Sequence, residues 1–373
     1  MRFGLGPKTQ YVPDVRRPYP VPYTPNSILF LRRLLMRAAV YKGDQRLSVE
    51  EVPTPSPGPG QVLVQVKYCA ICGTDIHAVL YDAAPVGVVM GHEFCGTIAT
   101  LGDGVTSWAV GDRVVGGGGT VPPGKEGAQL AHPRYDYRTM GFASKPMRAY
   151  ADYILMEEWD PVPIPEGVSD EAAALCEPCA IAVRATRQSD LKLGDSVMVL
   201  GGGPIGLFCL QAARAAGATS VYLSEPTPVR REAALALGAD AVIDPNQGDV
   251  VEQAIALTNG LGPDVVFDCA GWQRTFDQSL SMVRRNGQVV LVAIAWEDIP
   301  VLPIDWMGRE VRIQTTFGSV ADDWRVALDL MKTGRVDVAP LLSDDSFVPL
   351  ERINETFEAL TKPTTQLQMV IRM

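Results

Sequence analysis

The stretch Cys69 to Gly96 (CAICGTDIHAVLYDAAPVGVVMGHEFCG) gathers the residues best suited to chemistry. The chain has three histidines, and two of them, His77 and His92, fall here beside Cys72, Thr74, Asp75 and Glu93. A thiolate, an imidazole and carboxylates together make a donor set that Zn²⁺ accepts in a tetrahedral shell. Three protein donors leave a fourth position for a reacting oxygen, which is the arrangement of a catalytic zinc. Farther along, Gly201, Pro204, Ile205 and Gly206 surround Gly203 in a G-x-G-x-x-G run between an apolar stretch and a helical pattern. In that setting the first glycine makes a tight turn, the second admits a pyrophosphate to the backbone, and the third lets the helix pack on the strand. The N–H groups and dipole of the helix start suit phosphates. Glu225, 19 residues beyond Gly206, stands at the end of the next strand pattern. A carboxylate there accepts both adenosine ribose hydroxyls and repels a 2′-phosphate, which favours NAD over NADP. Arg230 and Arg231 close by pull the other way.

These residues need a scaffold. A chain of 373 residues predicts two or three domains. Apolar residues at 47% and charged ones at 20% fit a globular protein with a large core. A net charge of -10 argues against nucleic-acid or membrane-surface binding. No apolar run is long enough to span a bilayer. Seven scattered cysteines suit a reducing compartment, so a cytoplasmic location is expected.

Residues 1–35 hold six prolines, six basic residues and one acid, Asp14, and read as a poorly ordered extension. An arginine-rich organellar leader and an upstream start with Met36 as the functional beginning are the other readings. From Met36 the runs RAAVY, LSVEEV and QVLVQVKYCAI alternate apolar and polar residues, and strand character continues over 91–101, 111–115 and 149–154. Residues 36–185 therefore read as a β-rich, barrel-like catalytic domain, with 116–146 as a Gly- and Pro-rich lobe. Ser169 to Gln188 reads as a helix capped by Ser169 and kinked after Glu177 by Pro178. Residues 186–318 alternate strands and helices, which predicts a doubly wound parallel sheet. Residues 319–373 hold an amphipathic helix and a closing strand, QMVIRM, expected to return to the first domain. The run Ile299 to Ile304 (IPVLPI) reads as an edge strand.

With Gly91-His92-Glu93, Cys72-Gly73-Thr74-Asp75-x-His77, Glu177-Pro178 and the glycine fingerprint in order, the chain from Met36 to Met373 resembles the zinc-dependent medium-chain dehydrogenases, nearest the polyol, threonine and butanediol branch. The resemblance implies a GroES-like catalytic domain joined to a Rossmann NAD-binding domain. It implies Cys72, His92 and Glu177 as zinc ligands, with Glu93 as an exchangeable or supporting carboxylate. Asp75 would orient His92, and Thr74, the cofactor ribose and His77 would carry the alcohol proton to solvent. The expected reaction is reversible oxidation of a secondary alcohol, polyol or hydroxy-amino acid to the ketone, with hydride passing to NAD. Many relatives bind a second, structural zinc through four cysteines after the GDRV strand. Residues 116–146 contain no cysteine, so one catalytic zinc per subunit is expected, and the lone His132 there is expected to be solvated. Relatives pair edge strands across a two-fold axis, which implies a homodimer or homotetramer. Phe94, Trp108, Trp296 and Phe317 are candidate walls of the substrate pocket. Two other readings stand beside this one: a zinc-free, NADP-dependent quinone or enoyl reductase, and a non-catalytic clip using Cys69, Cys72, Cys176 and Cys179.

Overall fold

The computed structural model describes residues 35–117, 148–362 and 365–373. The expectations for the N-terminal extension, for His132 and for most of the cysteine-free lobe lie outside them.

Strands β1 (Leu35–Tyr41) and β2 (Leu47–Pro53) form an antiparallel hairpin. Its turn runs through Gly43, Asp44 and Gln45, all with positive φ. Strand β3 (Gln61–Ala70) is the centre of the first large sheet. It is followed by helix α1 (Gly73–Leu80) and by β4 (Glu93–Leu101), β5 (Arg113–Val115), β6 (Tyr153–Glu157) and β7 (Val162–Pro163). β3 pairs antiparallel with both β4 and β6, so both edges of its ladder are covered. Its alternating apolar residues fill the core: Val62, Val64 and Val66 are buried, while Gln65 and Lys67 face outward.

Two helices follow, α2 (Asp170–Ala173) and α3 (Cys176–Gln188). Ser169 caps the first through its hydroxyl, as expected. The break does not fall at Pro178. It falls at Ala174 and Leu175, and Pro178 sits in the first turn of α3. The first N–H groups of a helix have no intrahelical acceptor, so proline costs nothing there and sets no kink.

The second large sheet is wholly parallel. Its strands are β8 (Ser196–Leu200), β9 (Ser220–Ser224), β10 (Ala241–Ile243), β11 (Val265–Asp268), β12 (Gln288–Leu291) and β13 (Arg312–Thr315). Helices α4 (Pro204–Ala215), α5 (Pro228–Ala236), α6 (Val250–Leu257) and α7 (Gln273–Met282) make the crossovers. The spatial order β10-β9-β8-β11-β12-β13 reverses direction beside β8, and that switch point is where such sheets bind dinucleotides. The expected doubly wound sheet is present. The IPVLPI run pairs with no strand among the described residues of this chain. β13 closes the edge of the parallel sheet, and Ile304 instead opens a short helix, α8 (Ile304–Met307).

Helix α9 (Ala321–Lys332) lays Trp324, Ala327 and Leu328 into the core that α3 and α4 share. β14 (Phe347–Pro349), α10 (Ile353–Leu360) and β15 (Val370–Arg372) complete the chain. β15 pairs antiparallel with the end of β3, so the C-terminus is built into the first sheet.

Candidate metal and dinucleotide site

Sheet register assembles the donors. Ala70, the last residue of β3, pairs with Glu93, the first of β4. Cys72 therefore lies two residues beyond one strand end, and His92 one residue before the facing strand begins. Ligand atoms of Cys72, His92 and Glu93 lie within 4.8 Å of one another, the metal-capable group found among the described residues. Cys72 is also the N-cap of α1, and its sulfur accepts bonds from the Thr74 N–H at 3.5 Å and the Thr74 hydroxyl at 3.0 Å. The helix start and the two donors offset part of the burial that opposes a thiolate here, and a bound cation would supply the rest.

Gly91 must be glycine: its φ is +93°, and a Cβ would come within 2.8 Å of the Tyr150 ring and 2.9 Å of the Cys69 sulfur. The ring packed there belongs to a fully buried tyrosine whose phenol donates to Asp75 Oδ2 at 2.7 Å. The other oxygen of Asp75 stands 3.5 Å from His92 Nδ1. Tyr150, Asp75 and His92 thus form a chain leading inward from the metal site. Sequence reasoning missed Tyr150, which lies 58 residues from His92 and carries no motif of its own.

The electrostatics of the group fit a cation. Burial pushes the Cys72 thiol up to about 11, with Glu93 adding to the shift. Burial, then the charge of Glu177, pushes Glu93 up to about 8. Glu177 rises as well, through burial. Burial works against a charged His92, yet the Asp75 carboxylate and the Cys72 sulfur raise it well above the ordinary imidazole value. Oε2 of Glu93 is buried and has no hydrogen-bond partner. A buried carboxylate repelled by a half-buried one, an orphaned oxygen and a sulfur beside them are what a divalent cation would hold together. The residues present therefore fit a zinc ion. Glu177, in the first turn of α3, is near enough to act on Glu93 but lies outside the Cys72–His92–Glu93 cluster. Cys69, Cys176 and Cys179 are buried free thiols outside it too, so the four-cysteine clip does not form. Arg148, also unforeseen, is a largely buried guanidinium whose charge acts on Glu177 and Asp75.

His77 lies on α1, where its Nδ1 is 2.6 Å from the Gly73 carbonyl oxygen. A carbonyl only accepts, so Nδ1 carries the proton and Nε2 is left as the basic nitrogen of the neutral ring. The imidazole stacks on Trp296, with centroids 4.9 Å apart and planes 11° apart. Of the other expected pocket walls, Phe94 is buried against Gly116, Trp108 bonds the Glu158 carbonyl, and Phe317 is exposed.

The glycine turn is built for a close ligand. Gly201 has φ +100°, and a Cβ there would press on Cys269 and Ala270. Gly203 is the N-cap of α4, and nothing lies within 4 Å of where its Cβ would be, which leaves its backbone open. Pro204 and Ile205 start the helix. A Cβ on Gly206 would meet the Gly201 carbonyl at 1.9 Å, so only glycine lets α4 lie this close to β8. Glu225 follows β9 and is almost wholly buried. Its carboxylate accepts from the Gly202 N–H at 2.7 Å and the Thr227 N–H at 2.9 Å, and Arg230 stands 3.9 Å away. Gly202 was not singled out in the sequence, yet a Cβ there would come within 2.9 Å of Glu225.

Among the described residues no helix is long and apolar enough to cross a membrane. Residues 204–333 match the zinc-binding dehydrogenase family, and residues 58–166 match the alcohol dehydrogenase GroES-like domain. The chain is 33% identical to the (R,R)-butanediol dehydrogenase of Bacillus subtilis (strain 168), over 90% of this chain and 99% of that one. It is 31% identical to the L-threonine 3-dehydrogenase of Rhizobium johnstonii, over 87% and 95% of the two chains. A solved zinc-binding dehydrogenase of Sinorhizobium meliloti 1021, bound to NADP, superposes with a TM-score of 0.79 at 32% identity, over 91% of this chain and 99% of that one.

Proposed function

Since the chain belongs to the zinc-type medium-chain alcohol dehydrogenases, in the butanediol, threonine and polyol branch, it is an oxidoreductase of secondary alcohols, and we propose that Cys72, His92 and a buried carboxylate hold its one catalytic zinc. The observation that carries this reading is the convergence of Cys72, His92 and Glu93 within 4.8 Å. The carboxylate is Glu93 in the geometry seen here, with Glu177 as the neighbour that can replace it. When bound, zinc supplies Lewis acidity that lowers the pKa of an alcohol oxygen. When bound, the nicotinamide supplies the hydride acceptor.

The rest falls to the chain itself. Asp75, fixed by Tyr150, orients His92. The Thr74 hydroxyl steadies the Cys72 sulfur and stands where an alcohol proton first leaves. His77 Nε2 accepts that proton at the surface end of the path. Gly201, Gly203 and Gly206 shape the turn for the pyrophosphate, and Pro204 and Ile205 set the helix whose N-terminus faces it. Glu225, held by two backbone N–H groups, presents a carboxylate suited to ribose hydroxyls, which favours NAD. Arg230 lies close enough to offset part of that charge, and the NADP-bound relative makes cofactor choice the property to measure first.

The substrate class is a vicinal diol or a β-hydroxy-amino acid, following the butanediol and threonine relatives. Exposed Val301, Leu302, Ile304 and Met307 supply an apolar surface for a homodimer or a tetramer of dimers. Seven free cysteines suit the cytoplasm. Diols, polyols and hydroxy-amino acids offered with NAD or NADP, followed at the absorbance of reduced nicotinamide beside a zinc analysis, test the reading. Turnover that survives complete zinc removal overturns it.

A further inference from the structure

We propose that Trp296 is the positioning residue for the proton-accepting imidazole of His77, an inference that rests on the relay role given to His77 above.

His77 belongs to α1, the helix that begins at the metal-binding cysteine. Trp296 belongs to the segment after β12, on the dinucleotide sheet. Both ends of that segment are tied down. The N–H groups of Val292 and Ala293 donate to the Asp268 carbonyl at 3.0 and 3.1 Å, and Gln273 Nε2 donates to the Pro300 carbonyl at 3.0 Å. Between these anchors the indole leaves its own sheet and lies flat on the imidazole. Tyr81, one helical turn after His77, completes a mutual cluster, with centroids 5.8 Å from His77 and 5.7 Å from Trp296.

Burial does not explain the placement. Trp296 is 42% exposed and Tyr81 55% exposed, so neither ring fills a core. What the indole does is limit His77. The Nδ1–H bond to Gly73 fixes one edge of the ring, and the indole plane closes the side into which it would otherwise rotate. Nε2 is thereby held in one direction. A proton acceptor acts only from within hydrogen-bond reach, so the fraction of time spent in that direction scales the relay. Because Trp296 comes from the cofactor-binding half, the acceptor is positioned by the half that carries the dinucleotide.

The test compares Trp296→Ala, Trp296→Leu, Trp296→Phe and His77→Ala in the zinc-loaded enzyme. His77→Ala lowers kcat by about 10²-fold, the usual scale of general-base assistance, and imidazole in the buffer restores it. Trp296→Ala and Trp296→Leu lower kcat by about 2- to 12-fold, the scale of one aromatic stack, with KM little changed. Imidazole restores these as well, and Trp296→Phe keeps most of the rate. In a His77→Ala background the Trp296 change has no further effect. The chain has three histidines, so the His77 ring protons can be followed by NMR, and they lose the indole ring-current shift in Trp296→Leu. Unaltered His77 resonances, or a kcat loss that persists without His77, overturns the positioning role. A His77→Ala enzyme with full kcat overturns the relay reading itself, which is a separate outcome from either.

Discussion

Tyr150→Phe removes a single oxygen atom and leaves the ring that packs on Gly91. The lost phenol donates to Asp75 Oδ2 at 2.7 Å, and both residues are fully buried. Burial, then the Asp75 charge, keeps the phenol protonated by raising it well above its ordinary value, so it is a donor at every working pH. Without it, the Asp75 carboxyl stays in the interior with Oδ2 deprived of the bond the structure gives it. Losing a hydrogen bond to a buried charge costs about 1.5–3 kcal/mol. Asp75 relieves that cost by turning toward another donor, and it then stops holding His92. Partners that orient metal-bound imidazoles are worth about 10- to 100-fold in metal affinity, the same range as the bond energy converted at about 1.4 kcal/mol per tenfold. Competition with a chromophoric zinc chelator measures this directly, with Asp75→Asn as the stronger control. Zinc held as tightly by Tyr150→Phe as by the unaltered protein, at an unchanged melting temperature, would refute the argument.

The other expectations concern cofactor, turn and charge. Glu225→Ser strips two N–H groups of their acceptor and unmasks Arg230; the KM for NAD should rise about 10- to 100-fold and preference should move toward NADP, whereas an unchanged NAD/NADP ratio contradicts the role of Glu225. Gly206→Ala and Gly203→Ala should part company. The first drives a Cβ into the Gly201 carbonyl at 1.9 Å and should destabilise by about 1–3 kcal/mol, while the second meets nothing and should fold normally yet bind NAD poorly, as melting and cofactor titration would show. Metal-stripped protein should lose stability as pH rises. Glu93 moves from 4.5 to about 8 on folding, so between those values the folded chain keeps a proton the unfolded chain has released, and the contribution declines across that window. The raised Glu177 and His92 add the same sign. Melting curves across that range, with and without zinc, check it: a flat or rising profile for the stripped protein is the failing result, and added zinc should flatten the slope.

Much of the site was legible because its residues are close along the chain or share a turn. Cys72 and His92 are joined by one strand register, and Gly201, Gly203 and Gly206 belong to one loop whose geometry follows from φ and Cβ sterics alone. Alternating strands and helices over 196–315 announced the parallel sheet. What escaped was set by position within an element or by closure of the fold. Pro178 looked like a kink because its place in the first turn of α3 depends on a break at Ala174 and Leu175 that nothing local marks. Tyr150 and Trp296 carry no motif, and their roles exist only because β3, α1 and the segment after β12 come together.

The carboxylates near the metal site explain one another. Cys72 as thiolate and one glutamate already match the charge of a zinc ion, so the second glutamate and Asp75 are in excess. Arg148 lies where its charge acts on both of the latter, and burial lowers its own pKa, a cost accepted at the place where negative charge is concentrated. A packing role for these residues would not call for such an excess, since apolar side chains of the same volume would be cheaper to bury. A closed structural site would pair every oxygen, whereas Oε2 of Glu93 has no partner. These observations support the proposed cation centre, in which Glu93 or Glu177 would serve as the third ligand at the same net charge.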